Sequence, residues 1–306
     1  MSALSTIKFK NNSLTEFNKK KSNLALVFIM PAMLFVGFFF LYPLVNVIIM
    51  SFQDFPLLGE RSWVGLSNYT DAFQDAEFLK SIKITLLYTV LVTPLLFFTS
   101  LGMALLIVGE DRYSKFFRTI FFLPVVIGFG SASFLWYWFV DARVGPLPQF
   151  VRNLGFGKQE DQWLGAMPLA LFMVILLVVW KFSAFQMILL MAAIQGIPKE
   201  IIEAAQLDGA KGFKLLRTII LPLIKRTVTM VLILSIAGSL LAFDQFYIVT
   251  NGGPNGATVT TVFHIYRQSF LQFQLGYGAA LSVIVSIALI SISYIQFRLL
   301  KVSDDE

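Results

Sequence analysis

Two charged residues, Lys181 and Asp244, lie inside long apolar stretches of this 306-residue sequence. A charge near the centre of a membrane helix costs about 2.5–3.5 kcal/mol on insertion scales, so such a residue usually faces a cavity or a partner. One interpretation is that the two residues pair across a cavity within the membrane. The other is that Asp244 lies near the outer interface and the long Lys181 side chain extends towards water.

Polar uncharged side chains in the same stretches are the next candidates. Ser235 and Ser239 are four residues apart and therefore share one helix face. They could contact a polar ligand, or they could only bond the helix backbone and allow close packing. The amides of Gln186 and Gln245 are weaker candidates for the same role.

The sequence offers no set of residues for catalysis. It has no cysteine, and its single histidine, His264, has no carboxylate at a spacing that indicates a pair, which favours a structural role. A Gly-x-x-x-x-Gly-Lys-Ser/Thr phosphate loop is absent, because the nearest segment, GAKGFK, has the wrong spacing. An integral membrane enzyme would need His, Asp or Glu residues grouped on one side, and no such group is apparent.

The elements that position these residues are apolar helices. Apolar residues make up 57% of the chain and charged residues 14%, which is typical of a protein that lies in a bilayer. Spans need about 20 apolar residues each, and six stretches qualify: 24–50, 82–108, 116–140, 167–193, 227–249 and 277–300. We therefore predict an all-α integral membrane protein with a leader at 1–23, a transmembrane domain at 24–300 and a tail at 301–306.

The distribution of Lys and Arg predicts the orientation. Sixteen of the 24 fall in the leader, at the C-terminal end (Arg298 and Lys301) and in the segments around 112–118 and 199–226, whereas seven fall on the opposite side, and Lys181 is intramembrane. Short cytoplasmic loops retain positive charge, so both termini are predicted to be cytoplasmic. The net charge of +6 follows from this topology and gives no reason to expect a nucleic-acid partner.

The segment 196–226 contains EAAQLDGAKGFKLLRTIILP and predicts a cytoplasmic helix, turn and helix. Pro198 suits the first helical position, Gly209 suits a turn, and Pro222 ends the second helix at the membrane. Physical arguments alone leave two interpretations of this segment. It is either a solvated connecting loop or a surface on which another protein docks.

The same segment resembles the cytoplasmic signature of the inner-membrane permeases of binding-protein-dependent ATP-binding-cassette (ABC) importers. That signature is Glu-Ala-Ala, three residues, Gly, nine residues, Ile, one residue and Leu-Pro, and all seven positions match here. The segments IQGIPKE and FDQFYIVTNGGP are similar to the carbohydrate-uptake branch, in particular to the maltose-type first permease of a heterodimer.

The resemblance implies a cytoplasmic coupling helix that docks on an ATPase through Glu203, Ala204, Ala205, Asp208 and Gly209. It also implies a second homologous permease, two ATPase subunits that bind ATP and Mg²⁺, and an extracytoplasmic solute-binding protein. This chain would then need no cofactor of its own. Its location would be the bacterial cytoplasmic (inner) membrane.

The resemblance further implies that a sugar or oligosaccharide contacts the fifth span. Sugars bind through hydroxyl hydrogen bonds and aromatic faces, so the candidate cavity residues are Phe129, Trp180, Lys181, Phe182, Ser235, Ser239, Asp244 and Tyr247. Glycerol phosphate or another polyol remains an alternative solute. An ion-coupled secondary transporter is the alternative class, but it predicts paired intramembrane acids or broken-helix repeats and leaves the signature without a purpose.

Overall fold

A computed structural model describes residues 28–56, 59–109, 111–156 and 163–299. The predicted leader 1–23 and tail 301–306 lie outside these residues. The described helices are α1 (Phe28–Met50), α2 (Ser67–Gln74), α3 (Ala76–Leu106), α4 (Arg112–Val126), α5 (Phe129–Phe139), α6 (Pro146–Asn153), α7 (Met167–Gln195), α8 (Lys199–Leu207), α9 (Gly212–Leu223), α10 (Lys225–Leu240), α11 (Phe246–Thr250), α12 (Thr261–Tyr266) and α13 (Leu275–Leu299). Helix α12 continues directly into a π-helix over Arg267–Leu271. A short antiparallel pair, β1 (Gln53–Asp54) and β2 (Ser62–Trp63), follows α1.

The helices confirm the predicted class of a helical membrane protein. Within the described residues, α1, α3, α7 and α13 are each long and apolar enough to cross a bilayer. Two further pairs, α4 with α5 and α9 with α10, meet the same criteria when each pair is taken together. The described part of the chain therefore has four candidate spans that are single helices, and up to six if each bent pair counts as one.

The predicted span 116–140 is divided into two helices. Helices α4 and α5 meet at an angle of 99°, and Ile127 and Gly128 between them have extended backbone conformations. Pro124 lies in the last turn of α4, where a missing N–H and a rigid ring weaken the helix. The break leaves carbonyl groups at the end of α4 that need partners from elsewhere.

The predicted span 227–249 is also interrupted. Helix α10 ends at Leu240, and helical structure resumes at Asp244 and continues as the short π-helix α11. Between them, the carbonyl oxygen of Ala242 accepts a hydrogen bond of 2.7 Å from the Thr260 hydroxyl. At the other end of α10, the bend of 82° from α9 occurs at Ile224, two residues after Pro222.

Helices α3 and α7 run side by side in the same direction and form the centre of the fold. Near their N-terminal halves, Tyr88 and Val92 pack with Val174 and Phe246 in one buried cluster. Towards their C-terminal ends, a second cluster includes Leu101, Ala104, Met187, Leu190 and Val231. The polar candidates of α7 and α10 are therefore held by a packed core on both sides.

Candidate functional site: a cavity between the spanning helices

A cavity of about 580 Å³ lies between α3, α5, α7 and α10. Five of the predicted residues line it: Phe129, Phe182, Ser235, Ser239 and Asp244. They come together because α7 and α10 are neighbours and because the break before α5 turns Phe129 towards α7. The rings of Phe129 and Phe182 meet edge to face with their centroids 5.3 Å apart.

Three predicted residues do not line the cavity. Trp180 stacks on Trp136, with ring centroids 5.8 Å apart. Tyr247, on α11, packs against Phe243 and Tyr266. Lys181, the third, lies outside the cavity, next to the rings of Phe129 and Phe182 that line it.

Lys181 binds the broken end of α4. Its side chain is 3% exposed, and its Nζ donates a hydrogen bond of 3.0 Å to the Pro124 carbonyl and a second bond to the Ile127 carbonyl. The ammonium also lies 5.9 Å from the ring centroid of Phe129 and 5.5 Å from that of Phe182. These carbonyls take the place of the Asp244 carboxylate that the pairing hypothesis expects.

The two serines both bond their own helix. Ser235 Oγ donates to the Val231 carbonyl and Ser239 Oγ donates to the Ile236 carbonyl, each at 2.8 Å. This is the backbone bonding that the structural interpretation of the serines predicts. Since each hydroxyl proton is used in this way, both oxygens can act towards the cavity only as acceptors.

Among the polar residues that line the cavity, sequence reasoning missed one and ranked two others low. Tyr88 of α3 was not a candidate, and Gln186 and Gln245 were weak ones, yet all three line the cavity. A polar side chain in each of three separate apolar stretches was the only available signal. Their contact depends on packing between helices, because Gln245 Nε2 lies 3.3 Å from the hydroxyl of Tyr88, 157 residues away.

A second polar cluster centres on Asp75, at the start of α3. Its carboxylate accepts hydrogen bonds from the backbone N–H groups of Glu77 and Phe78, and from the Tyr277 hydroxyl at 2.8 Å. His264 Nε2 lies 3.3 Å from the same carboxylate, 189 residues away in the chain. The carboxylate partner that the sequence could not indicate is therefore Asp75.

The surroundings shift the pKa values of both residues. Burial alone would raise the pKa of Asp75, but the hydrogen bonds from Tyr277, Phe78 and Glu77 outweigh burial and hold that pKa below its usual range. Burial lowers the pKa of His264, and the nearby Asp75 carboxylate only partly opposes this effect. The histidine is therefore held mainly in its neutral form.

The predicted helix, turn and helix at 196–226 are present in the fold. Helix α8 begins at Lys199, one residue later than predicted, and Pro198 occupies the N-cap instead of the first helical position. Gly209 has a φ of +80°, the left-handed conformation that favours glycine. Leu207 is 89% exposed and Phe213 is also exposed, whereas Ala205 is buried.

Among the described residues, no group of three or more His, Asp or Glu side chains could hold a metal ion.

The fold and the cavity define a class: helical membrane proteins with a solute-sized space between their spans and a helical protrusion. A family model described as "Binding-protein-dependent transport system inner membrane component" matches residues 85–302. The chain belongs to this family and is a permease component of an ABC transporter.

Similar proteins and solved structures agree with this assignment. A probable ABC transporter permease protein of Bacillus subtilis, YurN, is 30% identical, with 92% of this chain and 97% of the relative covered. The sn-glycerol-3-phosphate transport system permease protein UgpA of Yersinia pestis is 32% identical over 89% of this chain and 92% of its own length. The crystal structure of a bacterial ABC transporter that imports the acidic polysaccharide alginate matches with a TM-score of 0.83 and 21% identity, and the match covers 95% of this chain and 99% of that chain.

Proposed function

We propose that this chain imports a sugar or oligosaccharide across the bacterial cytoplasmic membrane as one of two homologous permease subunits. ATP hydrolysis in two separate ATPase subunits drives the import, and an extracytoplasmic binding protein delivers the solute. ATP and Mg²⁺ bind in the ATPase subunits, and this chain carries no nucleotide site. A related structure contains an alginate transporter in complex with a periplasmic protein bound to an alginate pentasaccharide, which supports a binding-protein partner here.

The observation that carries the proposal is the exposed coupling surface, defined as Glu203, Ala204, Leu207, Asp208 and Gly209. All five are exposed, and they combine an apolar side chain with two carboxylates on a short helix and its turn. An exposed leucine on a cytoplasmic protrusion costs hydration free energy unless a partner covers it. Ala205 contributes from the buried side by fixing α8 on the rest of the segment.

The cavity supplies the proposed path for the solute. Phe129 and Phe182 offer aromatic surface, and Ser235, Ser239 and Asp244 offer oxygen atoms. Three other candidates do not line the cavity, and they act by holding the helices around it in place: Trp180, Lys181 and Tyr247. Glycerol phosphate is the second candidate solute, because the UgpA relative is named for its transport.

The chain contains no cysteine, so a single Leu207→Cys substitution gives a unique attachment point for a cross-linker. A short reagent that joins this thiol to lysines should link the chain to a co-expressed ATPase subunit, and ATP should change the yield. The matched control is Leu154→Cys, an exposed leucine after α6 in a predicted outer loop. A link to the ATPase in the Leu154→Cys variant but not in the Leu207→Cys variant would contradict the proposed docking surface.

A further inference from the structure

The short helix α2 is fixed beside the ends of three spans. Asn68 Nδ2 donates a hydrogen bond of 2.9 Å to the carbonyl of Ser51, the residue that follows α1. A single residue, Asp75, separates α2 from the start of α3. Ala72 of α2 packs with Leu281 of α13 in one buried cluster. The position of α2 is therefore set by α1, α3 and α13 together.

These contacts place α2 at the level of the membrane boundary. Leu281 lies six residues after Leu275, the first residue of α13, which is roughly 9 Å along the helix. Ile82 and Tyr277, the first residues of two predicted spans, pack against the same cluster. An element that packs on the first turns of spans lies in the interfacial layer, where amphipathic helices bind lipid.

The side chains of α2 form three faces that lie roughly 120° apart at about 3.6 residues per turn. The buried face consists of Asn68 and Ala72. The apolar face consists of Leu66, at the N-cap, and Phe73, which are seven residues apart and 63% and 65% exposed. The polar face is also exposed, and its residues are Ser67, Asp71 and Gln74. A helix at a membrane interface needs one such face each for protein, lipid and water.

Aromatic rings extend the apolar face towards the strands before α2. Tyr69 borders this face, and its ring centroid lies 5.4 Å from that of Phe52. The Phe52 ring in turn stacks on Trp63 at 5.8 Å, and Trp63 is 66% exposed. Tyr and Trp are enriched at membrane–water interfaces because their rings are amphipathic. The row of rings therefore suits the same interfacial layer.

The level and the faces of α2 together select lipid as the partner of the apolar face. Exposure of two large apolar side chains to water is unfavourable. The bilayer around the neighbouring spans reaches the apolar face from the side. A protein that approaches from the water meets the polar face instead.

We propose that α2 is an interfacial helix whose apolar face binds the lipid surface, with Leu66 and Phe73 at the boundary between headgroups and acyl chains. The predicted topology makes this surface the outer leaflet. The contact holds the start of α3 at a fixed depth in the membrane. The inference goes beyond the proposed function and can fail independently of it, because it requires only that the spans lie in a bilayer.

Spin labels on the two faces test this proposal. The chain has no cysteine, so the Leu66→Cys and Phe73→Cys variants each carry a single label. The matched control is Gln74→Cys, next to Phe73 on the polar face. Each labelled chain is assembled with its partner subunits in nanodiscs of phosphatidylethanolamine and phosphatidylglycerol. Electron paramagnetic resonance then compares collisions of the label with oxygen, which concentrates in lipid, and with a water-soluble nickel chelate.

Labels on the apolar face should collide more with oxygen than with nickel, and the Gln74→Cys label should show the reverse. A nickel preference at Leu66→Cys or Phe73→Cys would place the apolar face in water and overturn the inference. Low collision rates with both reagents would place it against another protein and overturn the inference too. Added binding protein should leave the mobility of the Phe73→Cys label unchanged, and a loss of mobility would show that this face docks that protein instead of lipid.

Discussion

Lys181 shows how a buried charge in a membrane span can be stabilised without an opposite charge. Its ammonium binds two carbonyls that the break after α4 leaves without helical partners. It thereby holds α5 at a sharp angle and places Phe129 on the cavity wall. The sequence correctly marked this lysine as unusual, but its partners lie more than 50 residues away and could not be read from spacing.

Replacing Lys181 with methionine tests this role. Lys181→Met should leave both carbonyls unsatisfied, at a cost of about 1–3 kcal/mol for each, and should lower both the thermal stability and solute uptake. Thermal unfolding of the purified chain in detergent measures the first effect. Lys83→Met makes the same chemical change at an exposed position of α3 and should leave the unfolding temperature nearly unchanged. Equal unfolding temperatures in both variants would remove the proposed role.

The cluster of Asp75 and His264 predicts that stability falls with acidification. The pKa of His264 is lowered below 6.5 in the folded protein. As the pH falls through 6.5, the unfolded chain therefore binds a proton at this residue before the folded chain does, and the free energy of unfolding decreases. The pKa of Asp75 is also lowered, so its contribution is present above about 3.8 and is lost at lower pH. Unfolding temperatures between pH 5 and 8 should therefore decrease towards pH 5, and the slope should be smaller in His264→Gln. An identical slope in both proteins would contradict this prediction.

At the scale of elements, the sequence predicted well which segments are helical but predicted poorly where the helices are interrupted. The apolar stretches, the punctuation by Pro198 and Gly209, and the short helix α8 follow from local propensity and capping. The breaks after α4 and α10 depend on contacts between distant segments, such as Thr260 with the Ala242 carbonyl. Pro124 explains why α4 is weak near its end, but a local effect does not give the angle between α4 and α5.

Gly209 carries a prediction for the coupling segment. A Cβ at this position meets nothing within 4 Å, but the φ of +80° strains any L-residue. Gly209→Ala should therefore cost about 1–2 kcal/mol through the backbone alone and alter the turn after α8. ATP hydrolysis by the assembled transporter should become less dependent on solute-loaded binding protein. The control is Gly102→Ala, in which the new Cβ is also unhindered and φ is not positive; equal loss of coupling in both would refute the role of the turn.

At the scale of the whole molecule, the distribution of basic residues predicts which end faces the cytoplasm. A membrane-impermeant maleimide should label the Leu154→Cys variant and not the Leu207→Cys variant when it is added to spheroplasts, whose cytoplasmic membrane is sealed. Inverted vesicles should show the opposite pattern. Because the chain has no other cysteine, each signal comes from one site. Labelling of the Leu207→Cys variant in spheroplasts would reverse the proposed topology.

The cavity could be predicted only in part at this scale. Residues on α5, α7 and α10 were identified because polar or aromatic side chains are conspicuous in apolar stretches. Tyr88 was not identified, and the amides of Gln186 and Gln245 were ranked low, because their place on the cavity wall depends on how four helices pack together. The family signature, in contrast, is a local pattern and was complete in the sequence.

The most direct test of the central claim is solute uptake into proteoliposomes that contain the complete transporter, with binding protein outside and ATP inside. Uptake should require enclosed ATP and both the ATPase subunits and the binding protein. An ion gradient alone should drive none. Accumulation of solute by this chain without its ATPase partners, driven by an ion gradient, would contradict the account.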